Sequence, residues 1–267
     1  MTSANGTALI TGASSGLGAI YAERLARRGF DLVLVARGKE LLATVARSIT
    51  ETTGRAVTTV QADLGNAEDL RRVEAILRND ASITMLVNNV GVGSVEPLLK
   101  ANVDDMERMI EINVVALTRL VYAAAPAFVR RKRGTIINLA SALALAPGMF
   151  NGVYGASKAF VVALTQSLDK ELAGNGLRFQ AVLPGAIATE FWKTSGGSLD
   201  HLPEQAVMRP EDAVDAALAG LDLGELITLP SLPDISEWEA YDTARRNLIP
   251  KISLHTPAQR YLTAARA

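Results

Sequence analysis

Tyr154 and Lys158 stand four residues apart in the stretch YGASK. On a helix that spacing places both side chains on one face. A free phenol titrates near 10, too high for a good base at neutral pH. An ammonium about 4 Å away, at an effective dielectric of about 20, favours the phenolate by about 4 kcal/mol. That is enough to lower the phenol's pKa by about three. The pair therefore suggests proton transfer at a tyrosine tuned by a lysine. Taken alone, Tyr-x-x-x-Lys reads as a solvated pair on a helix surface, so its surroundings decide. Ser141 lies thirteen residues upstream, at the end of an apolar run. Its hydroxyl can hold a carbonyl oxygen beside the phenol and donate to a developing alkoxide; taken alone, it reads as a strand-end cap. It is not placed as a nucleophile. The chain has no cysteine and two histidines, His201 and His255, both distant from Ser141 and in no metal-ligand spacing.

A second candidate site lies near the N-terminus. The run TALIT passes into TGASSGLG, with Gly12, Gly16 and Gly18 between a strand pattern and a helix pattern. Glycines there permit a tight turn and let backbone approach a pyrophosphate, which rests on free N–H groups at the helix start. Gly12, Ser14, Ser15, Gly16, Leu17 and Gly18 form the candidate cradle. An ordinary glycine-rich strand–helix loop is the alternative. The second strand, DLVLVA, ends without a carboxylate, and Arg37 follows nineteen residues after Gly18. An acid there would hold a ribose 2′-hydroxyl, whereas an arginine suits a 2′-phosphate. With Ser14 and Lys39 near enough in sequence to assist, NADP(H) is expected over NAD(H). The plainer reading is that Arg37 is a solvated strand-end residue.

The elements that must position these groups are legible in the periodicity. Residues 7–11, 31–36, 56–62, 83–89, 134–141 and 177–185 read as strands apolar on both faces, and 226–230 as a seventh. Helical patterns occupy 16–28, closed by Gly29, and 39–53, closed by Gly54. A third starts at the N-cap Asn66 and runs to 79, and two long ones cover 103–131 and 152–173. Strands alternating with helices predict an α/β fold, a single-domain, Rossmann-like, doubly wound parallel sheet of about seven strands over residues 1–267. An irregular tail with two short helical patterns starts at about Leu232.

The composition, 49% hydrophobic and 21% charged, is that of a globular protein. A formal net charge of −1 gives no reason to expect a nucleic-acid or acidic-lipid partner. The N-terminus lacks a basic stretch before an apolar one, and the apolar run 114–129 is broken by Arg119 and Pro126. A cytoplasmic protein without a membrane span is expected.

The motifs together resemble those of the short-chain dehydrogenase/reductase family, over about residues 6–190. TGASSGLG resembles its cofactor loop. NNVG (88–91) is similar to its Asn-Asn-Ala-Gly motif, with Val90 in the alanine position. Asn113 in IEINVVA, Ser141 in INLAS, YGASK and PGAIAT (184–189) follow in order. The resemblance implies hydride transfer between nicotinamide C4 and a carbonyl or secondary alcohol, with Tyr154 as general acid and base. It makes Lys158, with Tyr154, a ligand of the nicotinamide ribose, and Asn113 the holder of a water in a proton relay to Lys158. Asn89 and Gly91 pack along the adenosine ribose, and Asp63, with Leu64, meets the adenine. Pro184, Gly185, Ile187 and Thr189 belong to the nicotinamide end. No metal is implied.

Two uncharged or aromatic segments should face the substrate: 142–150, and a long loop, 190–208, suited to be a lid. Met149, Phe150, Phe191 and Trp192 suggest an apolar wall, and hence a neutral, fairly apolar carbonyl or alcohol substrate; core packing is the alternative. The helices at 114–131 and 152–173 are apolar around most of their circumference, which predicts a homodimer or homotetramer. A dinucleotide-binding sensor or scaffold without turnover is the rival function.

Overall fold

The computed structural model describes residues 5–149 and 152–264. These form two compact units, Met1–Pro230 and Ser231–Ala267. In the first, seven strands form one sheet in the order β3-β2-β1-β4-β5-β6-β9. They are β1 (Thr7–Thr11), β2 (Asp31–Ala36), β3 (Val57–Gln61), β4 (Ile83–Asn88), β5 (Gly134–Leu139), β6 (Leu177–Val182) and β9 (Ile227–Thr228). Every pairing is parallel. The fold is thus the Rossmann-like α/β sheet that the periodicity predicts. β1, β2, β4 and β5 are buried almost throughout, because helices cover both faces. The edge strand β3 differs, with Thr58, Thr59 and Gln61 exposed.

Helices α1 (Gly16–Arg27), α2 (Lys39–Thr53) and α3 (Ala67–Asn79) follow the first three strands. Asn66 caps α3, its Oδ1 accepting from Glu68 N at 2.9 Å and Asp69 N at 3.1 Å. Gly54 closes α2 in the left-handed conformation at φ 68°. The long 103–131 pattern is one continuous helix in three parts: α4 (Val103–Ile110), a π-helical segment Glu111–Ala116, and α5 (Leu117–Arg131). By length and composition it could cross a membrane, with a mean hydropathy of 1.6, but 61% of its most apolar window is buried in the protein. α6 is Gly152–Glu171, and a short ribbon pairs β7 (Ala186–Ile187) with β8 (Val207–Met208). Between them lies the one-turn helix α7 (Phe191–Thr194).

A further helix, α8 (Pro210–Leu223), lies outside the expected helical patterns, although Pro210 at N1, Glu211 and Asp212 in the first turn and a left-handed Gly224 mark its ends. It packs beside α1, where Arg24 pairs with Asp215 at 2.7 Å and Arg28 with Asp222 at 2.9 Å. The second unit holds α9 (Ile235–Arg246), capped by Asp234, and α10 (Gln259–Ala264).

The strand order reverses between β1 and β4. In an open parallel sheet, the carboxyl ends at that reversal border a crevice. Gly12, Arg37, Asp63, Asn89, Ser141 and Pro184 each stand one or two residues beyond a strand end. The topology therefore delivers residues far apart in sequence to one rim.

Candidate active site

A cavity of about 1140 Å³ opens along that rim. A site for one drug-sized ligand has roughly 300–1,000 Å³, so this one has room for a dinucleotide and a second molecule. All the candidate catalytic and cofactor-binding residues line it except Gly18, Lys39 and Asn113.

Gly12 and Gly16 turn the chain from β1 into α1 at φ 67° and 53°, where other residues are strained. Gly18 has another reason to be glycine: a Cβ there would lie 2.2 Å from Gly12 O and 2.5 Å from Asn89 Nδ2. Asn89 ties the loop to β4, its Nδ2 donating to Thr11 O at 2.9 Å. Thr11 Oγ1 accepts from Asn89 N and Val90 N at 3.0 and 3.1 Å, so the valine in the alanine position is accommodated. Ser15, at the N-cap of α1, makes no side-chain cap, which leaves the helix's first N–H groups for an anion. Across the cavity, Thr189 Cγ2 lies 3.7 Å from where a Gly16 Cβ would be, so the 184–189 segment faces the glycine loop. A cradle closed to side chains beside an uncapped helix start fits a dinucleotide pyrophosphate.

Arg37 is exposed on the cavity wall; its carbonyl accepts from Gln61 Nε2 at 3.2 Å, and its guanidinium has no partner among the described residues. Ser14 lines the same wall, but Lys39, expected to assist, does not. Asp63 is less available than expected. Arg108, on α4, donates to both its oxygens at 2.9 and 2.8 Å, and Gly65 N donates to Oδ1 at 3.0 Å. The pair spans 45 positions, a separation that no local pattern reveals.

The catalytic candidates converge. Ser141 and Tyr154 are buried and hydrogen-bonded through their hydroxyls. Ser141 Oγ also accepts from Leu143 N at 3.2 Å, so the strand-end cap read from the sequence is present. Lys158 is 5% exposed, and its Nζ donates to Leu139 O at 2.9 Å. Gly91 makes this possible, since a Cβ there would stand 3.1 Å from that nitrogen.

The expected lowering of the phenol's pKa by lysine is not what the site does. Burial raises the Tyr154 pKa above its ordinary value, and the Ser141 hydrogen bond only partly offsets this. Lys158 Nζ lies 5.9 Å from the centroid of the tyrosine ring. Lys158 is itself desolvated, its pKa lowered from 10.5 to about 8. Burial thus favours the neutral phenol.

Asn113 sits in the π segment, a form frequent at functional sites. Its Oδ1 accepts from Val92 N at 2.9 Å, and its Nδ2 donates to Val92 O at 2.8 Å and Ser157 Oγ at 3.1 Å. Both amide hydrogens are spent, leaving one Oδ1 lone pair for a water. On the substrate side, Phe191, Trp192 and Met149 line the cavity, though Met149 is 73% exposed and Phe150 lies outside the described residues. His201 and Leu202, within the 190–208 segment expected to face the substrate, also line the cavity.

Comparison with known proteins matches this arrangement. The chain is 35% identical over 221 residues to a very-long-chain 3-oxoacyl-CoA reductase of Anas platyrhynchos, covering 81% of this chain and 69% of that protein. A short-chain dehydrogenase from Sphingobium yanoikuyae in complex with NADPH superposes with a TM-score of 0.92 at 46% identity, over 96% of this chain and 100% of that one. The bulky-bulky ketone specific alcohol dehydrogenase from Comamonas testosteroni gives 0.89 at 42%, over 96% and 98%. The family model described as short chain dehydrogenase matches residues 6–198. With its glycine loop, its Ser-Tyr-Lys set and this match, the chain belongs to the short-chain dehydrogenase family, a family of oxidoreductases.

Proposed function

We propose that the protein is an NADP(H)-dependent oxidoreductase that interconverts a neutral, fairly apolar ketone and its secondary alcohol, with Tyr154 as general acid and base. The observation that carries this reading is the convergence of Ser141, Tyr154 and Lys158 on the cavity that also holds the glycine loop. Bound nicotinamide cofactor supplies or accepts the hydride. The loop from Gly12 to Gly18 holds its pyrophosphate on α1, and the exposed Arg37, with Ser14, takes the 2′-phosphate. Asn89, Gly91 and Leu64 line the adenosine side, where Asp63 is held in place by Arg108. Pro184, Gly185, Ile187 and Thr189 close the nicotinamide end.

Ser141 donates a hydrogen bond to the carbonyl oxygen, and Tyr154 passes its proton there as negative charge develops. Burial favours the neutral phenol, the form that donates a proton in reduction. Lys158, held by Leu139 O, reaches the ribose hydroxyls and the proton path. Asn113 positions Val92 and offers its remaining lone pair to a relay water.

The NADPH in the Sphingobium structure and the bulky ketones named for the Comamonas enzyme support this choice of cofactor and substrate class. The lining side chains Leu143, Ala146, Phe191, Trp192 and Leu202 favour an apolar substrate. Exposed Val115, Tyr122 and Phe160, on or beside the two apolar helices, support assembly as a homodimer or homotetramer, which light scattering at micromolar concentration tests. The function itself is tested with a panel of ketones and alcohols, each assayed with NADP(H) and NAD(H). NADPH oxidation by neutral ketones is expected. NADPH binding by fluorescence without turnover on any member would instead favour a sensor.

A further inference from the structure

Phe191 opens the lid and lies against the catalytic tyrosine. The two ring centroids are 5.7 Å apart and the planes are inclined at 44°. The edge of the phenylalanine occupies space that a side chain at position 93 would need. A Cβ on Gly93 would come 2.4 Å from Phe191 Cζ and 3.3 Å from Tyr154 Cδ2. Gly93 is not in the left-handed region, so its requirement is for space rather than for backbone freedom.

The ring has little room to swing away. Trp192 meets it edge-on, with centroids 6.3 Å apart, and Trp192 Nε1 donates to Ile187 O at 2.9 Å. Val95 N donates to Ser195 O at 3.1 Å and Gly197 N to Trp192 O at 2.8 Å. A Cβ on Gly197 would lie 3.0 Å from Val95 and 3.2 Å from the Trp192 ring. The helical turn carrying Phe191 is therefore pinned to β7 on one side and to the 92–95 segment on the other.

A carbonyl held by the Ser141 and Tyr154 hydroxyls has two substituents to place. After Ser141 the wall consists of the small Ala142 and Ala146 with Leu143. Beside Tyr154 it is the Phe191 ring. We infer that Phe191 is the specificity-determining wall of the site: seated in the gap that Gly93 leaves, it sets how large the second substituent of the carbonyl substrate can be. This rests on the carbonyl-reduction reading above.

The test compares cyclohexyl methyl ketone with dicyclohexyl ketone, which share one substituent and differ in the other. Two ratios are read, each taken as the larger ketone over the smaller. One is the ratio of kcat/KM with NADPH. The other is the ratio of calorimetric affinities for enzyme incubated with NADP, where no hydride is available. Phe191→Ala should raise both ratios by at least about tenfold, the scale on which a pocket discriminates a few methylenes. Phe191→Leu, which keeps apolar packing in the lid, should move them the same way. Gly93→Ala should lower them by a similar factor, because the new Cβ pushes the ring into the cavity. The double variant should return to the Phe191→Ala value within about twofold, there being no ring left to push. Ratios that stay constant, or a Gly93→Ala effect that survives in the double variant, would overturn the assignment. A wild type that reduces no ketone refutes the carbonyl-reduction reading, while the calorimetric ratios still decide the role of Phe191. Absence of binding by either ketone refutes both.

Discussion

Lys158→Met should make the protein more stable while abolishing its chemistry. Lys158 is 5% exposed, and burial alone accounts for the fall of its pKa from 10.5 to about 8, with no carboxylate acting on it. Among the described residues, its side-chain hydrogen bond goes to Leu139 O. An unfolded chain binds the proton up to about 10.5, whereas the folded site releases it near 8. Between those values the unfolded state holds more protons, so stability rises with pH there. The destabilisation is fully present below about 8 and is lost as pH climbs towards 10.5. The gap corresponds to about 3 kcal/mol at about 1.4 kcal/mol per pKa unit. Methionine is apolar, of similar reach, and carries no charge to desolvate. Denaturant unfolding of both proteins at one fixed concentration, from pH 7 to pH 10, should show the variant ahead at pH 7. Its lead should shrink by about 2–3 kcal/mol across that range. A difference that does not change with pH would mean that Lys158 titrates as an ordinary lysine, and would refute the reasoning.

Three further outcomes are expected. Ketone reduction should decline as pH rises through about 8, where Lys158 loses its charge while Tyr154 remains protonated, as a pH profile of kcat/KM would show. Gly18→Ala would set a Cβ 2.2 Å from Gly12 O; the forced backbone shift should cost about 1–3 kcal/mol in denaturant titrations and disrupt the cofactor cradle. Arg37→Ala should weaken NADPH binding about 10- to 150-fold, from the loss of a charge-assisted hydrogen bond of roughly 1.5–3 kcal/mol, and leave NADH nearly unchanged in fluorescence titrations.

How far the sequence could be read depended on how local the cause was. Strands buried on both faces and helices closed by Asn66 or Gly54 carry their causes within a few residues, and they fold where the pattern puts them. The glycine loop and YGASK are similarly local, and the switch in strand order brings them to one cavity. What escaped depends on tertiary placement. Asp63 is held by Arg108, 45 positions away. The phenol's proton affinity follows burial rather than the nearby lysine, which is itself desolvated. Only packing against Phe191 explains Gly93. The helix α8 was within reach, since Pro210 and Gly224 bracket it with familiar end signals.

The central claim, that Tyr154 moves the proton, is tested most directly by Tyr154→Phe. The change removes one hydroxyl and leaves the buried ring in place beside Phe191. Single-turnover reduction of a ketone accepted by the wild type should slow by about 10²–10⁴-fold or more, with the NADPH dissociation constant close to that of the wild type. A variant that keeps more than about a tenth of the wild-type rate would contradict the account, because general acid catalysis by that hydroxyl is worth at least about a hundredfold.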